Sequence, residues 1–147
     1  MSKHKKVQPI GSIREMMEIA VRENPELISY QFKEGEKLVS VTTREFYDSV
    51  ENLGAKLTEM GFGKSHIACV GENSYPWIQT FLTSLMTAGV FVPLDKELPA
   101  ENLVYLLNES DSDVRHNVNL FLIAFRLSST HDATLMPMEK IMPKCHE

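Results

Sequence analysis

The stretch HIACVGENSYPWIQTFLTSLMTAGVFVPLDKELPAE, His66 to Glu101, reads without interruption as strand, turn, helix, strand, turn and helix start. Ile67 to Val70 make the short apolar run of a parallel strand covered on both faces. Gly71 to Ser74 form its exit loop, and either Asn73 or Ser74 can cap the helix that follows. That helix carries Trp77, Phe81, Leu82 and Leu85 at three- and four-residue steps. Gly89 stops it and opens a second apolar run, Val90 to Leu94. Two parallel strands joined through a helix form a βαβ unit, whose crossover is right-handed. The fold class that follows is α/β, with a partial open sheet assembled from such units.

The segments before this unit are built to cover or extend it. Ser12 to Glu15 is a capping box that opens a helix with Ile13, Met16, Met17, Ala20 and Val21 on one side, and Asn24-Pro25 closes it. Ile28, Tyr30 and Phe32 alternate with Ser29 and Gln31, Lys33 to Glu36 turn the chain, and Leu38 to Val41 return as the second strand of a hairpin. Thr42 to Glu45 is a second capping box. Phe46, Val50, Leu53, Leu57 and Met60 follow at helical spacing until Gly61 supplies a left-handed stop. After the central unit, Pro99 sits where a first-turn proline is tolerated, opening a helix that bears Leu103, Leu106 and Leu107. Asp111 to Val114 can begin a third parallel strand.

Three segments are expected. Residues 1–11 are a flexible basic N-terminus containing Lys3, Lys5 and Lys6; residues 12–114 are an incomplete α/β subdomain; residues 115–147 differ in character. Asn117 to Leu127 is a dense apolar run whose periodicity does not distinguish strand from helix, and the last residues hold Pro137, Pro143 and three methionines. A poorly ordered end, or sequence exposed by a truncation or altered reading frame, is the expectation there.

Composition narrows the function classes. A chain of 147 residues with 43% hydrophobic content buries one core. A net charge of −5 with no basic helix face excludes a nucleic-acid footprint. Two cysteines, Cys69 and Cys145, build neither a disulfide framework nor a zinc pattern, which points to a reducing cytoplasm. No apolar run reaches the roughly 18 residues of a membrane span, and no signal peptide follows Met1.

Each chemical motif meets a plainer reading. Gly63-Lys64-Ser65 resembles the end of a phosphate-binding loop, but Thr58 stands where the first glycine belongs. The order is also helix to strand, whereas the motif runs from strand to helix, so a turn is favoured. Gly61-Phe62-Gly63 fails the dinucleotide fingerprint because His66 occupies the third glycine position. His66 has no second ligand at metal-binding spacing and reads as structural. His131-Asp132 and Cys145-His146 lack a scaffold that would fix a nucleophile and base. Tyr75 and Trp77 can line a pocket or belong to the core. Asp95 and Glu97 stand at the carboxyl end of a strand, where open α/β sheets bind ligands, and as loop residues need no ligand at all.

Two segments say more than their physics. Val41-Thr42-Thr43-Arg44-Glu45-Phe46, running on through Ala55 and Leu57, resembles the first core motif of the adenylate-forming enzymes. Leu85 to Asp95, LMTAGVFVPLD, resembles their second, and Gly71 to Ser74 with Trp77 looks like the same superfamily's strand exit and helix. PLDKELPAENL, Pro93 to Leu103, is similar to the bacterial AMP-forming long-chain acyl-CoA synthetase branch. The resemblance covers Ile13 to Val114. It implies a ligase that joins a carboxylic acid such as a fatty acid to AMP at the expense of ATP, then passes the acyl group to coenzyme A, with magnesium as the metal. The family's Ser/Thr/Gly-rich phosphate loop and its catalytic lysine find no match here, since Lys140 and Lys144 sit in no corresponding context. No catalytic, cofactor-binding or metal-binding residue is therefore assigned, and an inactive N-terminal fragment is expected. The rival is a non-enzymatic α/β module that binds a partner protein or itself through sheet surface left uncovered.

Overall fold

A computed structural model describes residues 9–87 and 89–112 in full, and the backbone of three further strands. Helix α1 (Ile13–Glu23) starts at Ser12, whose Oγ accepts from Glu15 N–H at 3.1 Å. Glu15 Oε2 reaches back to Gly11 N–H at 2.7 Å, one residue earlier than a strict capping box. Strands β1 (Ile28–Glu34) and β2 (Lys37–Thr42) form an antiparallel hairpin with Gly35 in the turn, and Tyr30, Phe32 and Val39 are half-buried on its inner face. Helix α2 (Thr43–Glu59) has the complete box: Thr42 N–H to Glu45 Oε2 at 2.8 Å and Glu45 N–H to Thr42 Oγ1 at 3.2 Å. It ends where Gly61 adopts φ 89°, a left-handed value that glycine takes without steric cost. Phe46, Val50, Leu53 and Leu57 are buried, the stripe that the spacing predicts.

The central unit is β3 (His66–Val70), α3 (Tyr75–Met86) and β4 (Val90–Leu94), with Ser74 rather than Asn73 as the cap of α3. Helix α4 (Ala100–Glu109) leads to β5 (Val114–Asn117), and β6 (Leu122–Phe125) and β7 (Thr134–Pro137) follow. Pro99 caps α4 instead of occupying its first turn. The five strands order as β4-β3-β5-β6-β7: β3 is parallel to β4 and β5, and the later pairs are antiparallel. Ile67, Ala68 and Cys69 are at most 1% exposed, as the central strand requires. The chain steps from β3 out to β4 and back past β3 to β5, the order for which right-handed crossovers place successive helices on opposite faces of a sheet.

The core gathers Met17 of α1, Val41 of β2, Phe46 and Val50 of α2, and Leu82 and Met86 of α3. Each such side chain contributes about 1.5–3 kcal/mol on burial. Arg14 pins the three helices from outside, donating to Glu51 Oε1 and to the Met86 carbonyl, both at 2.9 Å.

The face of α3 departs from its predicted stripe. Leu82 is buried, but Trp77 and Phe81 are half-buried and Leu85 is 36% exposed; Gln79, Thr80, Thr83 and Ser84 are buried instead. Their polar atoms have partners: Thr80 and Ser84 hydroxyls donate to carbonyls one turn back at 2.8 Å, and Gln79 Nε2 and Thr83 Oγ1 donate to the Ser49 and Val50 carbonyls of α2. Satisfied hydroxyls are small and pack like alanine or valine. They allow α2 close, where a Cβ on Gly54 would stand 2.9 Å from Thr87 Cγ2. Gly89 is likewise a matter of space, since its missing Cβ would lie 2.8 Å from the Ser65 carbonyl. The stripe expected on α4 also fails to bury, for no residue of that helix is fully covered.

Strand β4 ends the sheet among the described residues. Val90 N–H donates to the Ser65 carbonyl at 3.1 Å, so the main-chain groups of Val90, Val92 and Leu94 face β3 while those of Phe91 and Pro93 face outward. Pro93 thus removes an N–H from the open side, a common way of blunting a sheet edge. No described helix is long and apolar enough to cross a membrane.

Candidate functional site

The parallel strands deliver two loops to one end of the sheet. Val70 pairs with Leu94, and two residues beyond each lie Glu72 and Lys96, which form an ion pair joining the exits of β3 and β4. The hydrogen bond from Lys96 holds the Glu72 carboxyl below its ordinary range and the Lys96 ammonium above its own. Both groups are open to water, so the pair orders the loops more than it stabilises the fold. The parallel register would have shown this pairing to a sequence reading, which passed over it. Asp95 Oδ1 accepts from Glu97 N–H at 2.9 Å, and Glu97 lies 3.5 Å from Lys96; both acids are engaged within the loop.

Beside these loops a groove of about 510 Å³ runs between β1 and the first turns of α3, lined by Tyr30, Gln31, Phe32, Asn73, Ser74, Tyr75, Trp77 and Ile78. Its rings belong to two clusters. Tyr75 stacks on Phe32 at 5.2 Å and meets Tyr30 and Phe46 edge-on, while Trp77 stacks on Phe81 and meets Phe91 edge-on. Tyr75 therefore serves core and groove together, whereas Trp77 reaches the core through Phe81. The Tyr75 hydroxyl shares a hydrogen bond with Ser49 Oγ at 3.1 Å. Burial is the main cause that raises both the Tyr30 and the Tyr75 hydroxyls above their usual range. Each stays protonated at neutral pH and can orient a ligand, but neither can serve as a base.

The other motifs resolve into structure. In Gly63-Lys64-Ser65 the Ser65 N–H bonds the Phe62 carbonyl at 3.3 Å and the Ser65 carbonyl accepts from Val90, so the segment starts β3 as a turn. His66 Nδ1 lies 2.8 Å from the Ser110 carbonyl and ties β3 to the end of α4. Cys69 is a buried free thiol that desolvation pushes up to about 12. Among the described residues no three His, Cys, Asp or Glu side chains gather where they could hold a metal. The Gly63-Lys64-Ser65 turn does not fit a triphosphate cradle, because the Ser65 N–H is spent on Phe62 and the Ser65 carbonyl on β4. His131, Asp132, Lys140, Lys144, Cys145 and His146 lie outside the described residues.

Residues 17–129 match the sequence model of the AMP-binding enzyme family. The chain is 35% identical over 101 residues to gramicidin S synthase 2 of Brevibacillus brevis, covering 68% of this chain and 2% of that protein. It is 27% identical over 110 residues to tyrocidine synthase 2 of Brevibacillus parabrevis, covering 74% of this chain and 3% of that protein. Among solved structures, the fatty acid AMP ligase from Legionella pneumophila superposes with a TM-score of 0.68 at 15% identity, over 89% of this chain and 24% of that one. The Klebsiella oxytoca NpsA N-terminal subdomain, in complex with 3-hydroxyanthranilyl-AMSN, gives 0.63 at 16% identity, over 74% and 27%. The chain thus spans a few per cent of the curated relatives and about a quarter of the solved structures.

Proposed function

Because the chain belongs to the AMP-binding enzyme family, we propose that it is N-terminal scaffold from an enzyme that joins a carboxylic acid to AMP at the expense of ATP and then forms an acyl thioester with coenzyme A. The family match across residues 17–129 carries this reading, because it takes in both segments that resemble the family's core motifs, Val41 to Phe46 and Leu85 to Asp95. A long-chain fatty acid is the proposed acid, on the strength of Pro93 to Leu103. An amino acid is the second reading, favoured by the 35% identity to gramicidin S synthase 2. The reducing cytoplasm is the proposed compartment, in keeping with the free thiol of Cys69.

ATP, magnesium and coenzyme A belong to the proposed complete enzyme. This chain's own residues supply a sheet, the ordered loops at its carboxyl end and an uncharged groove, so the 147-residue chain should be inactive alone. ATP–pyrophosphate exchange with panels of fatty acids and of amino acids tests this, and turnover of any acid would overturn the scaffold reading. The genomic sequence downstream of the Val114 codon tests the parent. A Ser/Thr/Gly-rich phosphate loop in any frame supports an acid-activating enzyme, and the enzyme expressed from that sequence separates fatty acids from amino acids.

A further inference from the structure

Helix α3 starts with less local bracing than the two helices before it. α1 and α2 each carry a glutamate in the first turn, Glu15 and Glu45, whose carboxylate reaches back to a main-chain N–H at the entry of the helix. The first turn of α3 has no acidic residue. Its cap is also the longest of the three: Ser74 Oγ accepts from Trp77 N–H at 3.4 Å, against 3.1 Å at Ser12 and 3.2 Å at Thr42. A hydrogen bond of that length is weak. Glu72 stands two residues before the cap, and its carboxylate goes instead to Lys96 in the loop after β4.

That second loop is braced from within. Asp95 Oδ1 accepts from Glu97 N–H at 2.9 Å, and the Glu97 carboxylate lies 3.5 Å from the Lys96 ammonium. Lys96 thus reaches from a held loop to a less held one. We propose that Lys96 is a positioning residue, a latch that does for the entry of α3 what a capping-box carboxylate does for α1 and α2. Through Glu72 it fixes the chain from Asn73 to Ile78, and with it the α3 side of the groove. Ion pairs open to water weaken as salt rises, so order at this wall depends on ionic strength. The latch acts within the β3–α3–β4 unit and is independent of the activity proposed above.

Amide hydrogen exchange of the intact 147-residue chain tests this, read at Trp77 and Ile78, whose N–H groups bond the Ser74 hydroxyl and carbonyl. Lys96→Gln should exchange about two- to fivefold faster there, the range open to an exposed ion pair. Lys96→Arg keeps the charge and should restore the parent rate. Glu72→Gln should also accelerate exchange, and the double variant should be no faster than the faster single one, because both changes remove the same pair. Sodium chloride at about 1 M should accelerate the parent chain and leave Lys96→Gln unchanged. Glu72 and Lys96 are exposed, so these variants keep the fold. Lys56→Gln, which breaks the Lys56–Glu59 pair on α2, is the remote control and should not alter exchange at Trp77 or Ile78. Unchanged exchange in Lys96→Gln, acceleration that Lys96→Arg does not reverse, additive effects in the double variant, or equal acceleration throughout α1 and α2 would each overturn the latch.

Discussion

Replacing Phe46 by alanine should be strongly destabilising. Phe46 is 3% exposed, its ring lies 4.5 Å from that of Tyr30 and 5.7 Å from that of Tyr75, and it joins the cluster shared by α1, β2, α2 and α3. The change removes a benzyl group from a site framed by three helices and a hairpin, so collapse around it is restricted and a cavity remains. Large-to-small changes of this type cost about 3–5 kcal/mol, which already includes the lost ring contacts. Small domains hold about 5–15 kcal/mol in all, so the variant should sit near the edge of folding. Urea titration followed by the fluorescence of Trp77, the chain's single tryptophan, measures the loss directly. Phe46→Leu should recover more than half of it by keeping most of the volume, and Val104→Ala, at an exposed site, should change the midpoint by less than about 0.5 kcal/mol equivalent. A loss below about 1 kcal/mol for Phe46→Ala with an unchanged denaturant slope would refute the packing described here.

Gly89→Ala should destabilise by about 1–3 kcal/mol, because its Cβ meets the Ser65 and Ser84 carbonyls, which are backbone and cannot swing aside; thermal melts check this. The Glu45 carboxyl is lowered by its hydrogen bonds to Thr42, so its folded value lies below its unfolded one. Its contribution is present above the unfolded value and lost as pH falls through the folded one. Glu45→Gln should therefore show a smaller stability decrease than the parent chain between about pH 6 and about pH 3 in paired urea titrations. Cys69 should resist iodoacetamide at about pH 8 until urea unfolds the chain, as read by peptide mass mapping, since burial keeps its thiol protonated. Pro93→Val restores an outward N–H on β4 and should raise the self-associated fraction in sedimentation; an unchanged monomer would show that Pro93 does not guard this edge.

The elements were legible where local chemistry decides them. Ser12, Thr42 and Ser74 each accept the N–H that a cap should accept, Gly61 ends α2 as its position implies, and the α2 stripe buries as spaced. The face of α3 was not legible, because hydropathy treats Thr80, Thr83 and Ser84 as polar although their protons are spent on carbonyls beside them. Of the groove, the α3 wall was legible, since Tyr75 and Trp77 were expected to line a pocket or the core; the β1 wall was not, because Tyr30 belongs to a separate element and only the packing of the hairpin on α3 brings it to Tyr75. Glu72 and Lys96 fall between these cases, since the pairing needed only the parallel register of β3 and β4.

Burial accounts for both the strength of this fold and the raised pKa of its buried thiol and phenols. A catalytic acid, base or nucleophile works best with a pKa near the working pH, which demands a group partly desolvated and facing an opposite charge or a donor. In this chain desolvation acts without such a partner on Cys69, and mainly alone on Tyr30 and Tyr75, moving all three away from neutrality. The exposed Glu72 and Lys96 neutralise each other where the two loops meet. The β3–α3–β4 unit fixes the spacing of the two loops that leave the carboxyl ends of its strands.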